Sequence, residues 1–147
     1  MPICSGCIAA GVHVRTPAGE RPIESLSIGE RVVSYDEKTG RPSEARVLRR
    51  LDHGEAPTLS FRLADGRTLL VTAVHPLYDP DARSYRAAAS WSVGERLSVA
   101  TAEGLAPAAI VAIEPGPRRR VFDITVDGPF ENFLAAGVLV HNKPKTK

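Results

Sequence analysis

The sequence predicts an all-β fold built from two similar halves. Three observations lead there. Short segments rich in β-branched residues recur along all 147 residues, and Gly, Pro and Asp turn signals separate them. Helical periodicity is almost absent. One stretch of sequence occurs twice. Twelve prolines spread along the chain suit a compact fold with many corners.

Taken in order, the predicted strands cover 12–16, 31–35, 44–51, 58–63, 67–73, 95–100, 109–113 and 121–126. Pro17-Ala18-Gly19, Thr39-Gly40, Asp65-Gly66 and Asp127-Gly128-Pro129 mark the turns. Asp65-Gly66 lies between two alternating runs and predicts a hairpin. Segments 22–26 and 85–91 each have room for one or two helical turns. A last apolar run, Val138, Leu139 and Val140, reads as a buried strand that ends in His141–Asn142. The repeat pairs "SLSIGERV" (25–32) with "SWSVGERL" (90–97), at an offset of 65 residues. Five of the eight positions are identical and the other three exchange apolar residues. A weaker echo pairs 65–76 with 127–142, each ending on a histidine after an apolar run. Two related β subdomains about a pseudo-two-fold axis would produce this pattern, each placing a histidine near the join.

The composition is that of an ordinary globular domain, with 43% hydrophobic and 24% charged residues. A net charge of +2 gives no reason to expect nucleic acid or a membrane surface as partner. Arg118–Arg119–Arg120 reads as a solvated turn and the lysine-rich end as a linker. No apolar run approaches the ~20 residues of a membrane-spanning helix. The opening "MPICSGCIAAGV" lacks the basic start of a secretory signal, although a longer, secreted parent protein would leave the compartment open. Two cysteines do not make a disulfide scaffold.

Few residues offer chemistry. Cys4 and Cys7 form C-x-x-C, but a strand-like stretch with Gly11 follows where a redox pair would need a helix, and a zinc site would need two further ligands. Cys7 follows Gly6, whose carbonyl is sterically open to attack by the next thiol. His13 is assigned to a strand and His53 to a polar turn, neither with a chemical role. Thr72 and His75, in Thr-x-x-His spacing at a strand end, can aim a hydroxyl and an imidazole at one carbonyl, or merely cap a turn. His141–Asn142 is the sharpest feature. The asparagine amide nitrogen can attack its own main-chain carbonyl, forming a succinimide and breaking the bond to Lys143. A neighbouring imidazole assists by general acid–base catalysis.

Together these residues resemble the Hint superfamily of inteins, hedgehog autoprocessing domains and bacterial intein-like domains, and the resemblance is nearest to the last. "CIAAGVHVRTPAGERPIESLSIGERVVSYD" (7–36) is similar to the opening block of that family. "LLVTAVHPL" (69–77) is similar to the second block, and "VFDITVDGPFENFLAAGVLVHN" (121–142) to the closing blocks. The resemblance implies a β horseshoe and three segments: a flank over 1–6, an autoprocessing domain over 7–142 and a flank over 143–147. It implies that Cys7 converts the Gly6–Cys7 amide to a thioester, with His75 and Thr72 assisting and Asp123 tuning the thiol. It implies that Asn142 cyclises with His141 as acid or polariser.

The sequence departs from the family pattern twice. Splicing members carry Cys, Ser or Thr after the asparagine, whereas this chain has Lys143, so cleavage of the flanks is expected in place of their ligation. Glu131 stands where many members have a histidine that assists asparagine cyclisation. No insertion large enough for a homing endonuclease separates the second and closing blocks, and hedgehog-type sterol transfer is not expected with five residues after Asn142. The expected substrate is the chain's own flanking polypeptide, with an outside thiol or amine as acceptor, in a monomer that needs no cofactor. Zinc is expected at most as an inhibitor bridging Cys7 to His75 or His141. A Cys4–Cys7 disulfide would hold the nucleophile inactive until reduced. The competing reading is a degenerate scaffold serving as a spacer or interaction module, favoured by Lys143 and Glu131.

Overall fold

The computed structural model describes residues 6–141. They form fourteen strands: β1 (Ile8–Ala9), β2 (His13–Thr16), β3 (Gly19–Pro22), β4 (Arg31–Tyr35), β5 (Pro42–Ala56), β6 (Leu59–Leu63), β7 (Thr68–Val71), β8 (Pro76–Asp79), β9 (Ser84–Ala87), β10 (Arg96–Thr101), β11 (Gly104–Pro115), β12 (Arg119–Val126), β13 (Asn132–Ala135) and β14 (Val138–His141). The only helical segments among the described residues are two 3-10 turns, Ile23–Ser25 and Ala88–Ser90. None of the helices is long and apolar enough to cross a membrane. Each predicted strand is present. The structure adds five short ones: β1, β3, β8, β9 and β13. Segment 85–91 is corrected: its first residues belong to β9 and only Ala88–Ser90 turn.

All strand pairs are antiparallel, in the path β4-β5-β12-β1-β7-β6-β11-β10-β14-β13-β2-β3, with β8 attached to β14 and β9 to β8. The first eight strands of that path mirror one another about the β1–β7 contact, where Ile8 pairs Val71. The long strand β5 has its counterpart in β11, and β12 in β6. The hairpin β13–β14 then sits between the two outer hairpins, its Ala135 pairing Val14 of β2 and its Val140 pairing Leu77 of β8.

The repeated sequence folds the same way twice, down to single hydrogen bonds. The N–H of Leu26 donates to the Ile23 carbonyl and that of Trp91 to Ala88, both at 3.3 Å. Ser27 N–H donates to the Glu30 carboxylate and Ser92 N–H to Glu95. Arg21 reaches Glu30 and the Ser25 carbonyl, and Arg86 likewise reaches Glu95 and the Ser90 carbonyl. A polar turn held by its own Ser, Glu and Arg satisfies its backbone groups locally, which frees the apolar residues at either side for the core. That core is continuous across both halves and includes Ile8, Ile23, Phe61, Leu69, Leu77, Leu97, Ile110 and Phe133, all buried.

Candidate active site at the pseudo-two-fold join

Cys7 precedes β1 and Thr72 follows β7, so the pairing of the two central strands sets them side by side. The Cys7 N–H donates to Thr72 Oγ1 at 3.0 Å, and the Thr72 N–H donates to the Cys7 carbonyl at 3.0 Å. Thr72 thus holds the nitrogen of the Gly6–Cys7 peptide bond. Cys7 is fully buried and disulfide-bonded.

A tight turn, with the His75 N–H on the Thr72 carbonyl at 3.1 Å, brings His75 back over the same bond. A Cβ placed on Gly6 would lie 3.4 Å from His75 Nδ1, so the ring stands directly against the Gly6 main chain. The ring is 2% exposed, and neither nitrogen makes a hydrogen bond of good geometry within the protein. Burial pushes its pKa down to about 4; the main chains of Gly6 and His141 act against that, while the nearby His141 imidazole adds to it. At neutral pH His75 is therefore a neutral imidazole between the backbones of Gly6 and His141. Phe133 closes one side, with its ring 6.4 Å from the His75 ring and nearly perpendicular.

Asp123 is buried in β12. Ile8 pairs Phe122 and Ala9 pairs Val121, so one further step of the antiparallel register sets Cys7 opposite Asp123. His53, assigned to a polar turn by the sequence, belongs to β5 and brings Nε2 to 3.7 Å from Asp123 Oδ2. The correction has a local cause. Arg120 pairs Glu55 and Phe122 pairs Asp52, so His53 and Gly54 together oppose Val121, a bulge that turns His53 toward the aspartate.

At the other end of the site, His141 closes β14 opposite Asn132. Its ring packs edge-on against Tyr85, with centroids 4.7 Å apart. Glu131 stands just before β13 at φ 57, a left-handed conformation unusual for a glutamate. Thus Gly6, Cys7, Thr72, His75, Asp123 and His141 fall in one region of the fold. Cys4, Asn142 and Lys143 lie outside the described residues. Sequence reasoning missed Tyr85, Glu37, Asn132 and His53; only the histidine carried any chemical signal of its own. Among the described residues, no group of three or more His, Cys, Asp and Glu side chains is placed to hold a metal ion.

The comparisons with known proteins agree with this architecture. An Ssp DnaB mini-intein variant superposes with a TM-score of 0.88 at 23% identity, over 99% of each chain. A DnaB intein from Synechocystis gives 0.86 at 25% identity, covering 94% of this chain and 99% of that one. A bacterial intein-like domain from Clostridium thermocellum gives 0.80 at 23%, covering 92% and 98%. No curated protein matches the sequence. Residues 13–143 match the pretoxin HINT domain family, and with nearly the whole chain covered, the protein belongs to that family of Hint domains.

Proposed function

We propose that the domain cuts its own chain at two bonds, Gly6–Cys7 and Asn142–Lys143, and that cleavage outweighs splicing. The observation that carries this reading is His75, a buried neutral imidazole set between the backbones of Gly6 and His141. One group then serves both ends of the processed segment.

At the first bond the Cys7 thiolate attacks the Gly6 carbonyl carbon. The C–S bond forms, the C–N bond breaks, and the Cys7 nitrogen takes up a proton, with Thr72 holding that nitrogen and His75 beside the carbonyl. Asp123, across the register from Cys7 and facing His53, tunes the thiol. Water or an outside thiol or amine then releases the segment that ends at Gly6. At the second bond the Asn142 side-chain nitrogen attacks its own carbonyl carbon and the Lys143 amine leaves with a proton, aided by His141. Lys143 carries no hydroxyl or thiol, so the thioester has no acceptor in the chain and ligation of the flanks fails. A family described as pretoxin domains is in keeping with release of a segment from a precursor.

Cys7 is disulfide-bonded, and Cys4 is the one other cysteine in the sequence. Reduction of that bond by a dithiol, which is itself oxidised to a disulfide, would return the thiol that attack requires. Zinc would inhibit by bridging Cys7 to His75 or His141.

Intact-mass spectrometry of the domain between two reporter proteins tests the reading, with and without dithiothreitol. Fragments ending at Gly6 and beginning at Lys143 are expected, the first only with reductant. Cys7→Ala should remove the first fragment and Asn142→Ala the second. An unchanged fusion mass over days in both redox states would establish the inactive scaffold instead.

A further inference from the structure

The proposed cut after Asn142 poses a problem that the site as described does not solve. A general acid works only when its ring is held in place, and the packing around His141 bears on how that is done. Tyr85 comes from β9, at the outer edge of the second half, and packs its ring edge-on to His141 at 4.7 Å and 62°. The phenol is itself pinned. Its O–H donates to Glu37 Oε2 at 2.6 Å, and one N–H of Asn132 Nδ2 is shared between the same Glu37 oxygen at 3.0 Å and the Tyr85 oxygen at 3.1 Å.

Asn132 is fully buried, and every hydrogen-bonding capacity of its amide is engaged. Its Oδ1 accepts from Ser34 Oγ and the Tyr35 N–H, and its Nδ2 also donates to the Tyr35 carbonyl. It is also the register partner of His141 across the β13–β14 hairpin. The result is a closed path of short contacts, from the main chain of β4 through Asn132 and Glu37 to Tyr85 and the His141 ring. Burial, and then the Glu37 hydrogen bond, push the Tyr85 phenol far above its usual range, so it remains a donor at any working pH. A partly buried network anchored on a fully buried, fully bonded amide restrains the ring it holds, and a restrained ring is what orients a general acid. The ring also packs against Tyr78 of β8, with centroids 5.0 Å apart, at the edge of a small cluster that includes Leu134 and Leu139.

We infer that Tyr85, locked by Glu37 and Asn132, is the positioning residue that orients His141 for cleavage after Asn142. The inference rests on the cleavage reading above.

The test compares the two cuts in one protein. Tyr85→Leu is expected to slow release at Lys143 by about tenfold or more while leaving reductant-triggered thiolysis at Gly6 within about twofold. Tyr85→Phe keeps the ring but loses the Glu37 bond, and should fall between. Glu37→Gln retains an acceptor for the phenol and should restore most of what Glu37→Ala loses. A second arm uses Asn142→Ala, which cannot cyclise, and reads the His141 ring signals by NMR. They should shift with Tyr85→Leu and hold with Glu37→Gln. Equal slowing of both cuts, wild-type release at Lys143 from Tyr85→Leu, or unmoved His141 signals would each overturn the inference. A wild type that never cuts after Asn142 would overturn the cleavage reading instead, and the NMR arm would then decide the Tyr85–His141 contact alone.

Discussion

The two halves of the domain share a backbone but not a chemistry. In the first half the Val12 N–H donates to the Ala9 carbonyl, and the Val12 carbonyl accepts from Ile23. In the second the His75 N–H donates to the Thr72 carbonyl, and the His75 carbonyl accepts from Ala88. Ala9 and Val12 therefore occupy the places of Thr72 and His75. One copy of the turn is filled with a methyl and an isopropyl group that simply pack in the core; the other carries a hydroxyl and an imidazole. In the first half the same turn is built with apolar residues alone. Burying an imidazole with neither nitrogen well bonded costs on the order of 1–3 kcal/mol. A buried polar group of this kind marks a candidate functional position.

The strongest way to break the comparison is to make the second half copy the first. His75→Val should lower thiolysis at Gly6 by about a hundredfold or more, the range of a lost general acid–base group. Its thermal midpoint at pH 7 should stay at or above that of the wild type, since the buried polar ring is gone. Thr72→Ala should cost about tenfold by releasing the nitrogen that the hydroxyl holds. Thiolysis at the wild-type rate in His75→Val would remove the imidazole from the reaction.

The same exchange sharpens the acid side of the stability curve. The folded-state pKa of His75 is pushed down to about 4 from an ordinary 6.5. Below 6.5 the unfolded chain binds a proton that the folded chain refuses. The stability from keeping the ring neutral is thus complete above pH 6.5 and is lost as pH falls toward 4, by about 3 kcal/mol in all. Urea denaturation at pH 7 and pH 4.5 should show this loss in the wild type and a smaller one in His75→Val. Parallel pH curves for the two proteins would show that His75 is not the group concerned.

Much of this was legible in the sequence, for physical reasons. Strands such as 31–35 and 121–126 are dense in β-branched residues, and the duplicated "S-x-S-apolar-G-E-R" connector carries its own capping groups. The shorter strands β8 and β9 read as "PLYD" and "SYRA". Nothing local marks them; they are strands because β14 and each other supply partners. His53 reads as a turn residue because Asp52 and Gly54 look like a turn, and chemically they are one: Asp52 Oδ1 accepts the Gly54 N–H. The turn is spent inside a strand as a bulge, which only the pairing with β12 reveals. The Glu37–Tyr85–Asn132 network joins residues up to 95 positions apart and has no sequence signature at all.

A smaller difference between the halves lies in the connector itself. Arg21 and Arg86 make equivalent bonds, but Arg86 also pairs with Asp79 at 2.9 Å and lies over the Trp91 ring at 4.2 Å. The matching position in the first half is Leu26, which offers no such face. Arg86→Ala should therefore destabilise more than Arg21→Ala, by about 1 kcal/mol, from the lost cation–π contact and stem packing. Equal urea midpoints for the two variants would show that the stacked arginine contributes nothing beyond the shared bonds.

The smallest difference is an insertion. In the first half the outer hairpin closes with Thr16 paired to Gly19; in the second, Asp79 is paired to Ser84. Two extra residues in the loop 80–83 change the offset between the halves from 63 before the hairpin to 65 after it. The longer loop is shaped by Asp79, whose Oδ1 accepts the N–H groups of Asp81 and Ala82 and whose carbonyl accepts that of Arg83. To make that last bond Arg83 adopts φ 58 with its side chain exposed. An L-residue in that region carries a penalty that glycine avoids, partly offset by the greater freedom of glycine in the unfolded chain. Arg83→Gly should thus stabilise by about 0.5 kcal/mol in urea and leave both cleavage rates unchanged. A loss of stability would mean that the Arg83 side chain, and not the loop backbone, holds this hairpin in register.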